Sequence, residues 1–264
     1  MREPRLATID IARVDDIVWA TLAHPHSPHN AIDAALHHDL GELFRWLKRL
    51  DDARAVVLTG RGRSFSVGGD VQWFPTLRDP AVLDALRRDA KQMIWDLLDV
   101  EVPLVCGLNG TAAGLGASIA LLCDLIVMAD DALIVDPHVK VGLVAGDGGA
   151  AIWPLVMGPL AAKRHLLLGD PLTAADARSW GIASDTCAAD QVRDRAGRWA
   201  RRLADAAPLA LRGTKVAVNA QVKRALLDSF DLSTALEIPC FTSHDHHEGV
   251  AALAERRAPR FEGR

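Results

Sequence analysis

The chain has 264 residues and a formal net charge of −4, which gives no general electrostatic reason to expect nucleic acid as a partner. Its longest uncharged stretch, residues 102–123, is interrupted by Pro103 and several glycines, and residues 1–10 are charged, so we expect neither a membrane span nor a signal peptide. The four cysteines are far apart without a CxxC pattern, which favours reduced thiols in a cytoplasmic protein and predicts no metal site.

The first elements are predicted to be a β-hairpin and a capped helix. Alternating apolar residues predict strands at 7–11 and 17–22, joined by a turn at 15–16. Asp33 can cap a helix that runs to about residue 50. Three histidines lie between the hairpin and this helix: His24, His26 and His29. A cluster of histidines can bind a metal, but no acidic or thiolate partner stands nearby in the sequence. We therefore interpret them as solvated loop residues.

A first glycine loop follows the next predicted strand. Residues 55–59 form this strand, and residues 67–70 lead from the loop into a predicted helix. A polar helical segment then extends to about residue 99.

The stretch 103–149 is predicted to hold the functional site. A strand at 104–108 is followed by Gly110, Gly114 and Gly116 and then by a helix over 117–123. A helix entry of this kind points free backbone NH groups at a ligand, and glycine allows a close approach. Strands at 125–129 and 132–135 then lead to His138 and a second glycine loop, 142–149, which carries Asp147.

The remainder is predicted to be helical. A helix spans 161–168, Thr173 caps a short helix that ends at Gly181, and helices cover 192–206, from Pro208 to Pro239, and 247–257. The composition shift near residue 203 divides the chain into a core, 1–202, and a helical C-terminal region, 203–264.

Several motifs in order resemble the enoyl-CoA hydratase/isomerase (crotonase) family. They are NAID at 30–33, VVLTGRGRSFSVGGD at 56–70, VPLVCGLNGTAAGLGASIALLCDLIVMAD at 102–130 and VGLVAGDGGA at 141–150. The resemblance implies an α/β fold built as a spiral of ββα units, and a C-terminal helical region that assembles trimers or hexamers. It also implies an acyl-CoA thioester substrate, with coenzyme A as part of that substrate and no separate cofactor.

The resemblance implies an oxyanion hole made by the amides of Gly69 and Leu115. Two preorganised NH groups can stabilise the negative charge that an enolate gathers on oxygen. Leucine replaces a usual glycine at 115 but keeps the NH. The alternative is that both loops are only tight turns.

The two catalytic glutamates of family hydratases are replaced by Ser118 and His138, so we do not expect ordinary two-glutamate hydration. His138 and Asp147 remain as a candidate acid–base pair. Their positions resemble those of the histidine and aspartate in the family branch that hydrolyses β-diketones. That branch has a second histidine in the oxyanion loop, and Leu115 occupies its position here. As alternatives, His138 is a wall residue and Asp147 a turn residue, and we interpret Asp136 as a strand-end cap.

A nucleophilic Ser118 is not favoured, because GLGASIA lacks the GxSxG elbow; packing, or a hydrogen bond to substrate or water, fits better. The resemblance places the adenine of CoA near Ser66, Val67 and Gly68. The other residues that we expect at the substrate are Asp70, Gly114 and Gly146. Arg256 of a neighbouring subunit, with the arginines at 257 and 260, could bind the phosphates or could be a solvated helix end.

Three functions fit these residues. The first is enolate chemistry on an acyl-CoA, such as isomerisation or hydration. The second is hydrolysis of a carbon–carbon bond in a β-dicarbonyl compound, or of a thioester. The third is acyl-CoA binding without catalysis.

Overall fold

The computed structural model describes residues 3–264 and contains two sheets flanked by helices. Residues 1 and 2, which open the predicted core and the charged N-terminal stretch, lie outside the described residues. The strands are β1 Ile9–Val14, β2 Ile17–Leu22, β3 Ala55–Gly60, β4 Ser64–Ser66, β5 Leu104–Leu108, β6 Thr111–Ala113, β7 Leu125–Ala129, β8 Leu133–Val135, β9 Leu172–Thr173 and β10 Asp185–Cys187. The helices are α1 Ala34–Leu47, α2 Pro80–Leu98, α3 Leu115–Leu121, α4 Gly149–Met157, α5 Pro159–Leu168, α6 Ala174–Ser179, α7 Val192–Ala204, α8 Pro208–Glu237 and α9 His244–Glu255.

The larger sheet has the order β1-β2-β3-β5-β7-β10. β1 and β2 form the antiparallel hairpin that the sequence predicted, and the other strands pair in parallel. β3 and β5 are apolar and almost wholly buried, as expected for central strands of a parallel sheet. A Cβ at Gly107 in β5 would lie 3.3 Å from Ala196 Cβ, so this glycine lets α7 pack closely on the sheet.

The smaller sheet positions the candidate site. It has the order β4-β6-β8-β9, and β4, β6 and β8 run in parallel. Their carboxyl ends therefore meet at one edge. The segments that follow these strands are Val67–Asp70 after β4, Gly114 after β6 and Asp136–His138 after β8. We did not predict β4 or β6, because strands of three residues carry no periodic signal.

Most predicted helix ends are confirmed, and the caps explain them. Asp33 accepts hydrogen bonds from two backbone amides of α1, Thr173 accepts one from α6, and Pro208 opens α8. The predicted helix directly after Asp70 is wrong. Asp70 Oδ1 instead accepts the Gln72 amide in a turn, and a 3-10 helix, Phe74–Arg78, follows.

One smaller interpretation changes. His24 is not a solvated loop residue, because its side chain is 5 % exposed and its Nε2 lies 3.1 Å from Asp33 Oδ2. All four cysteines are free; three are buried and Cys240 is partly exposed. Among residues 3–264, none of the helices combines the length and the apolar character that crossing a bilayer requires.

Candidate active site

A cavity of about 470 Å³ opens at the edge of the smaller sheet. Its walls are mainly aliphatic and aromatic, with few polar side chains among them. The 3-10 helix Phe74–Arg78, α2, α8 and the segment after α8 supply many of the apolar residues: Phe74, Leu77, Leu83, Leu86, Phe230, Ile238 and Phe241. An apolar cavity with a few convergent polar groups is the usual form of a small-molecule site.

The glycine turns that follow β4 and β6 touch at the cavity. Gly68 and Gly114 have φ values of +81° and +51°, which L-residues with side chains rarely adopt. A Cβ at Gly68 would lie 2.9 Å from the Ala113 carbonyl oxygen, and one at Gly114 would lie 4.0 Å from Gly68 Cα. Glycine is therefore required for both the backbone conformation and the close approach.

Gly69 and Leu115 both line this cavity. Within residues 3–264, neither amide donates to a protein acceptor. Leu115 is the first residue of α3, where a helix leaves its NH without an internal partner. Both amides are thus free to donate to a ligand oxygen.

His138 lies between three carboxyl groups. Its Nδ1 is 2.6 Å from Asp136 Oδ1, which also accepts the His138 backbone NH at 3.2 Å. Its Nε2 lies 3.5 Å from Asp147 Oδ2 and 3.8 Å from Glu237 Oε1. Asp136, a further candidate that we interpreted mainly as a strand-end cap, therefore also holds the imidazole ring.

Glu237 was not predicted. It lies at the end of α8 and its side chain is 10 % exposed. The available signal was its position on the same helical face as Phe230 and Ser233, which are both buried. A charged residue on a buried face is rare enough to mark a site.

The second glycine loop accommodates these carboxyl groups. A Cβ at Gly146 would overlap the Glu237 carboxylate, and a Cβ at Gly149 would overlap Asp136. The glycines at these positions thus make room for acids that come from other elements.

Burial and mutual proximity shift the pKa values of the cluster. Burial alone would lower the pKa of His138, but Asp136, Asp147 and Glu237 together raise it well above its ordinary value. Burial raises the pKa of Asp147, and the His138 cation opposes this rise. Burial also raises the pKa of Glu237 to about 8, with repulsion from the two aspartates adding to it. These shifts favour the imidazolium form of His138 and the neutral acid form of Glu237.

The ligand atoms of Asp136, His138 and Asp147 lie within 4.8 Å of one another, a spacing that could also hold a cation. The raised pKa of His138 works against metal binding, because a metal needs the neutral imidazole.

Ser118 lies behind the cluster. It is fully buried, and its Oγ and Asp147 Oδ1 both lack a hydrogen-bond partner within residues 3–264. Their proximity nevertheless favours the Asp147 carboxylate form. A hydroxyl buried inside α3 is not accessible to a substrate carbonyl, which agrees with a packing or hydrogen-bonding role.

The other predicted substrate residues divide into two groups. The cavity wall includes Val67, Gly68, Asp70, Gly114 and Gly146. Two others lie outside it within the chain. Ser66 donates its hydroxyl to the Asn30 carbonyl at 2.7 Å, and Arg256 is exposed at the C-terminal end of α9.

Comparison with known proteins finds a matching family, a relative of similar sequence and solved structures of similar fold. The family model described as enoyl-CoA hydratase/isomerase matches residues 14–264. The chain is 32 % identical to the 1,2-epoxyphenylacetyl-CoA isomerase of Escherichia coli over 89 % of this chain and 91 % of that protein. The structure of an enoyl-CoA hydratase/isomerase from Mycobacterium paratuberculosis matches with a TM-score of 0.88 and 34 % identity, covering 94 % of this chain and 98 % of that one.

A third relative is a β-diketone hydrolase from the cyanobacterium Anabaena, whose structure contains (S)-3-oxocyclohexyl acetic acid. It matches with a TM-score of 0.85 and 27 % identity, covering 92 % of this chain and 98 % of that one. The predicted α/β fold is that of these relatives.

Proposed function

Because the chain belongs to the enoyl-CoA hydratase/isomerase family, we propose that it is an enzyme that acts on an acyl-CoA thioester through an enolate. The observation that carries this proposal is the convergence at Gly114. A Cβ there would lie 3.5 Å from His138 Cε1 and 3.8 Å from Asp147 Oδ2. The glycine turn before α3 therefore lies next to both His138 and Asp147, and all three residues line the cavity.

In this proposal Asp147 is the base and takes the proton from the carbon next to the thioester carbonyl. The electron pair of that C–H bond moves to the carbonyl, and the Gly69 and Leu115 amides stabilise the oxygen charge. Glu237, neutral below about pH 8, returns a proton to a different carbon and so completes an isomerisation. The His138 cation, held by Asp136, favours the ionised form of Asp147 and so opposes the rise in pKa that burial causes.

Exchange of the α-proton tests this function. Saturated and unsaturated acyl-CoA esters are incubated in D₂O with wild type, His138→Ala and Asp147→Asn, and deuterium uptake is followed by mass spectrometry. We expect uptake with wild type and a loss of about 100-fold or more in each variant. The matched controls, His26→Ala and Asp131→Asn, change exposed residues and should retain the wild-type rate. Full exchange in both site variants would contradict the assignment.

A second candidate is hydrolysis of a carbon–carbon bond in a β-dicarbonyl compound. The similarity to the Anabaena hydrolase favours it, together with a site of one histidine and three acids in place of two glutamates. Water would add to one carbonyl and lose a proton to Asp147. The C–C bond would then break, and the resulting enolate would take its proton from Glu237. Release of a carboxylate from a cyclic 1,3-diketone in the absence of CoA distinguishes this candidate from the first.

The proposal includes a homotrimer or hexamer in which Arg256 of a neighbouring subunit contacts the CoA phosphates. Exposed apolar residues on α8 support an assembly: Leu209, Leu227 and Leu232 are 86 %, 69 % and 61 % exposed.

Arg256 is exposed, whereas Arg257 is paired with Glu248 and Glu255. Light scattering of the purified protein gives the oligomeric mass. An Arg256→Ala variant that binds CoA esters as tightly as wild type would remove the phosphate role. Binding of CoA esters without any turnover would instead favour the third function, acyl-CoA binding without catalysis.

A further inference from the structure

A histidine outside the catalytic cluster lies in the cavity wall. His37 in α1 is 7 % exposed, and its Nε2 is a buried atom without a hydrogen-bond partner within residues 3–264. Together with Trp73 and Leu86, it also borders a neighbouring pocket of about 410 Å³. These three residues border both spaces, and the His37 ring, which carries the unpaired nitrogen, lies beside the Trp73 indole.

His37 is neutral at physiological pH. Burial lowers its pKa to about 4, which outweighs the attraction of Asp89, and repulsion from His38 acts in the same direction as burial. A neutral imidazole offers one NH donor and one nitrogen acceptor. Its ring centroid lies 5.9 Å from that of Trp73, so the two rings are neighbours in the cavity wall.

His37 lies away from the reacting groups. The charges that act on it are Asp89 and His38, and those that act on His138 are Asp136, Asp147 and Glu237. The two histidines therefore lie at different parts of one cavity. A ligand that reaches both must extend from the thioester site towards α1.

The cavity favours a neutral polar group near His37 over a charged one. Two cationic side chains of α2 border the cavity, Arg87 and Lys91. Arg87 Nη2 lies 3.0 Å from Asp84 Oδ1, and Lys91 is paired with Asp231. Because both cations already have carboxylate partners, a distal carboxylate would have to displace one of them. A keto or hydroxyl oxygen needs only one hydrogen bond.

Building on the proposed function, we propose that the His37 ring turns to present Nε2 to the cavity and there binds a keto or hydroxyl oxygen carried by the acyl group, remote from the thioester. A buried polar atom without a partner costs free energy, and a ligand oxygen removes that cost. A purely hydrocarbon acyl chain would leave the nitrogen unpaired. The site should therefore select oxygenated acyl groups over hydrocarbon ones by about 10-fold to 100-fold.

Binding of saturated esters, which undergo no net conversion, tests this selection independently of turnover. Isothermal titration is carried out with hexanoyl-CoA and octanoyl-CoA, with their keto and hydroxy derivatives at the penultimate carbon, and with the matching terminal carboxylates. The proteins are wild type, His37→Leu, which removes the hydrogen bond, and His37→Gln, which keeps an amide that can form one. His38→Leu is the matched control, because this neighbouring histidine is exposed. Circular dichroism verifies folding.

We expect wild type and His38→Leu to bind the oxygenated esters about 10-fold to 100-fold more tightly than the hydrocarbons. In His37→Leu the ratio should fall to within about threefold, mainly because the hydrocarbons bind better, and His37→Gln should restore part of it. An unchanged ratio in His37→Leu would overturn the role of His37, and a preference for the carboxylates would overturn the neutral-group assignment. If hydrocarbon esters bind and exchange their α-protons but no oxygenated ester gains affinity, this inference fails while the proposed function stands. If no CoA ester binds to wild type, both fail.

Discussion

Asp136 Oδ1 lies 2.6 Å from Nδ1 of His138, and the backbone NH of His138 donates to the same oxygen. The carboxylate is fully buried and follows β8 directly, so it fixes both the backbone and the ring of the histidine. Nε2 is thereby directed towards Asp147 and Glu237. Four predictions concern this arrangement and the loops around it.

Replacing Asp136 by asparagine should reduce turnover by about 100-fold to 10,000-fold, because it removes the charge that orients and stabilises the imidazolium. The pKa of His138 should fall, since Asp136 is the strongest of the groups that raise it. NMR titration of the histidine ring measures this pKa directly. Lower activity with an unchanged pKa of His138 would indicate a merely structural role for Asp136.

Replacing Glu237 by glutamine should change how stability depends on pH. Glu237 keeps its proton up to about pH 8 in the folded protein, against an ordinary value of 4.5. Between these values the folded state binds more protons than the unfolded state, so the free energy of unfolding falls as pH rises. His138 acts in the same direction because its pKa is also raised.

Thermal unfolding from pH 5 to pH 9 measures this effect. We expect Glu237→Gln to have a flatter profile than wild type and to gain relative stability at the alkaline end. Glu101→Gln changes an exposed carboxylate and should follow wild type. Parallel profiles for wild type and Glu237→Gln would contradict the raised pKa.

Replacing Leu115 by proline should remove one oxyanion donor and lower turnover by about 100-fold to 1,000-fold. Proline is tolerated at the first position of a helix, and Leu115 occupies that position in α3. Leu115→Met keeps the NH and a similar volume, and should retain most activity. Steady-state kinetics of the two folded variants provide the comparison; equal activities would exclude the Leu115 amide from catalysis.

Replacing Gly114 by alanine should reduce both stability and activity. Its φ of +51° strains any L-residue, at about 1–3 kcal/mol, and the new Cβ would lie 3.5 Å from the His138 ring. A small displacement of this ring can cost about 100-fold in rate.

Gly41→Ala is the matched control. Gly41 lies within α1, and a Cβ at this position would meet no atom of another segment within 4 Å. This variant should therefore be more stable by about 0.5–1 kcal/mol and fully active. Denaturant unfolding and kinetics of both variants verify the contrast. If the Gly114→Ala protein were as active as wild type, this loop would have no part in the reaction.

Local sequence signals predicted the elements well where local contacts decide them. Asp33 and Thr173 cap their helices because a side-chain oxygen reaches amides two or three residues away. The glycine loops were recognisable because positive φ values and close contacts demand glycine. The turn after Asp70 was missed, since an Asx turn and a helix start have the same first residues.

The sequence by itself therefore determined the family and the two glycine loops, and it predicted the candidate pair His138 and Asp147; all of these lie in short contiguous motifs. Only the tertiary structure decided that Asp136 holds the histidine, that Glu237 joins it from the end of α8, and that His37 lies in the cavity wall. Parallel packing of three short strands brings the segments after β4, β6 and β8 to one edge, and the packing of α1 and α8 places His37 and Glu237 in the wall of the same cavity. Their protonation follows from burial and mutual charge, which depend on distances through space that no local pattern records.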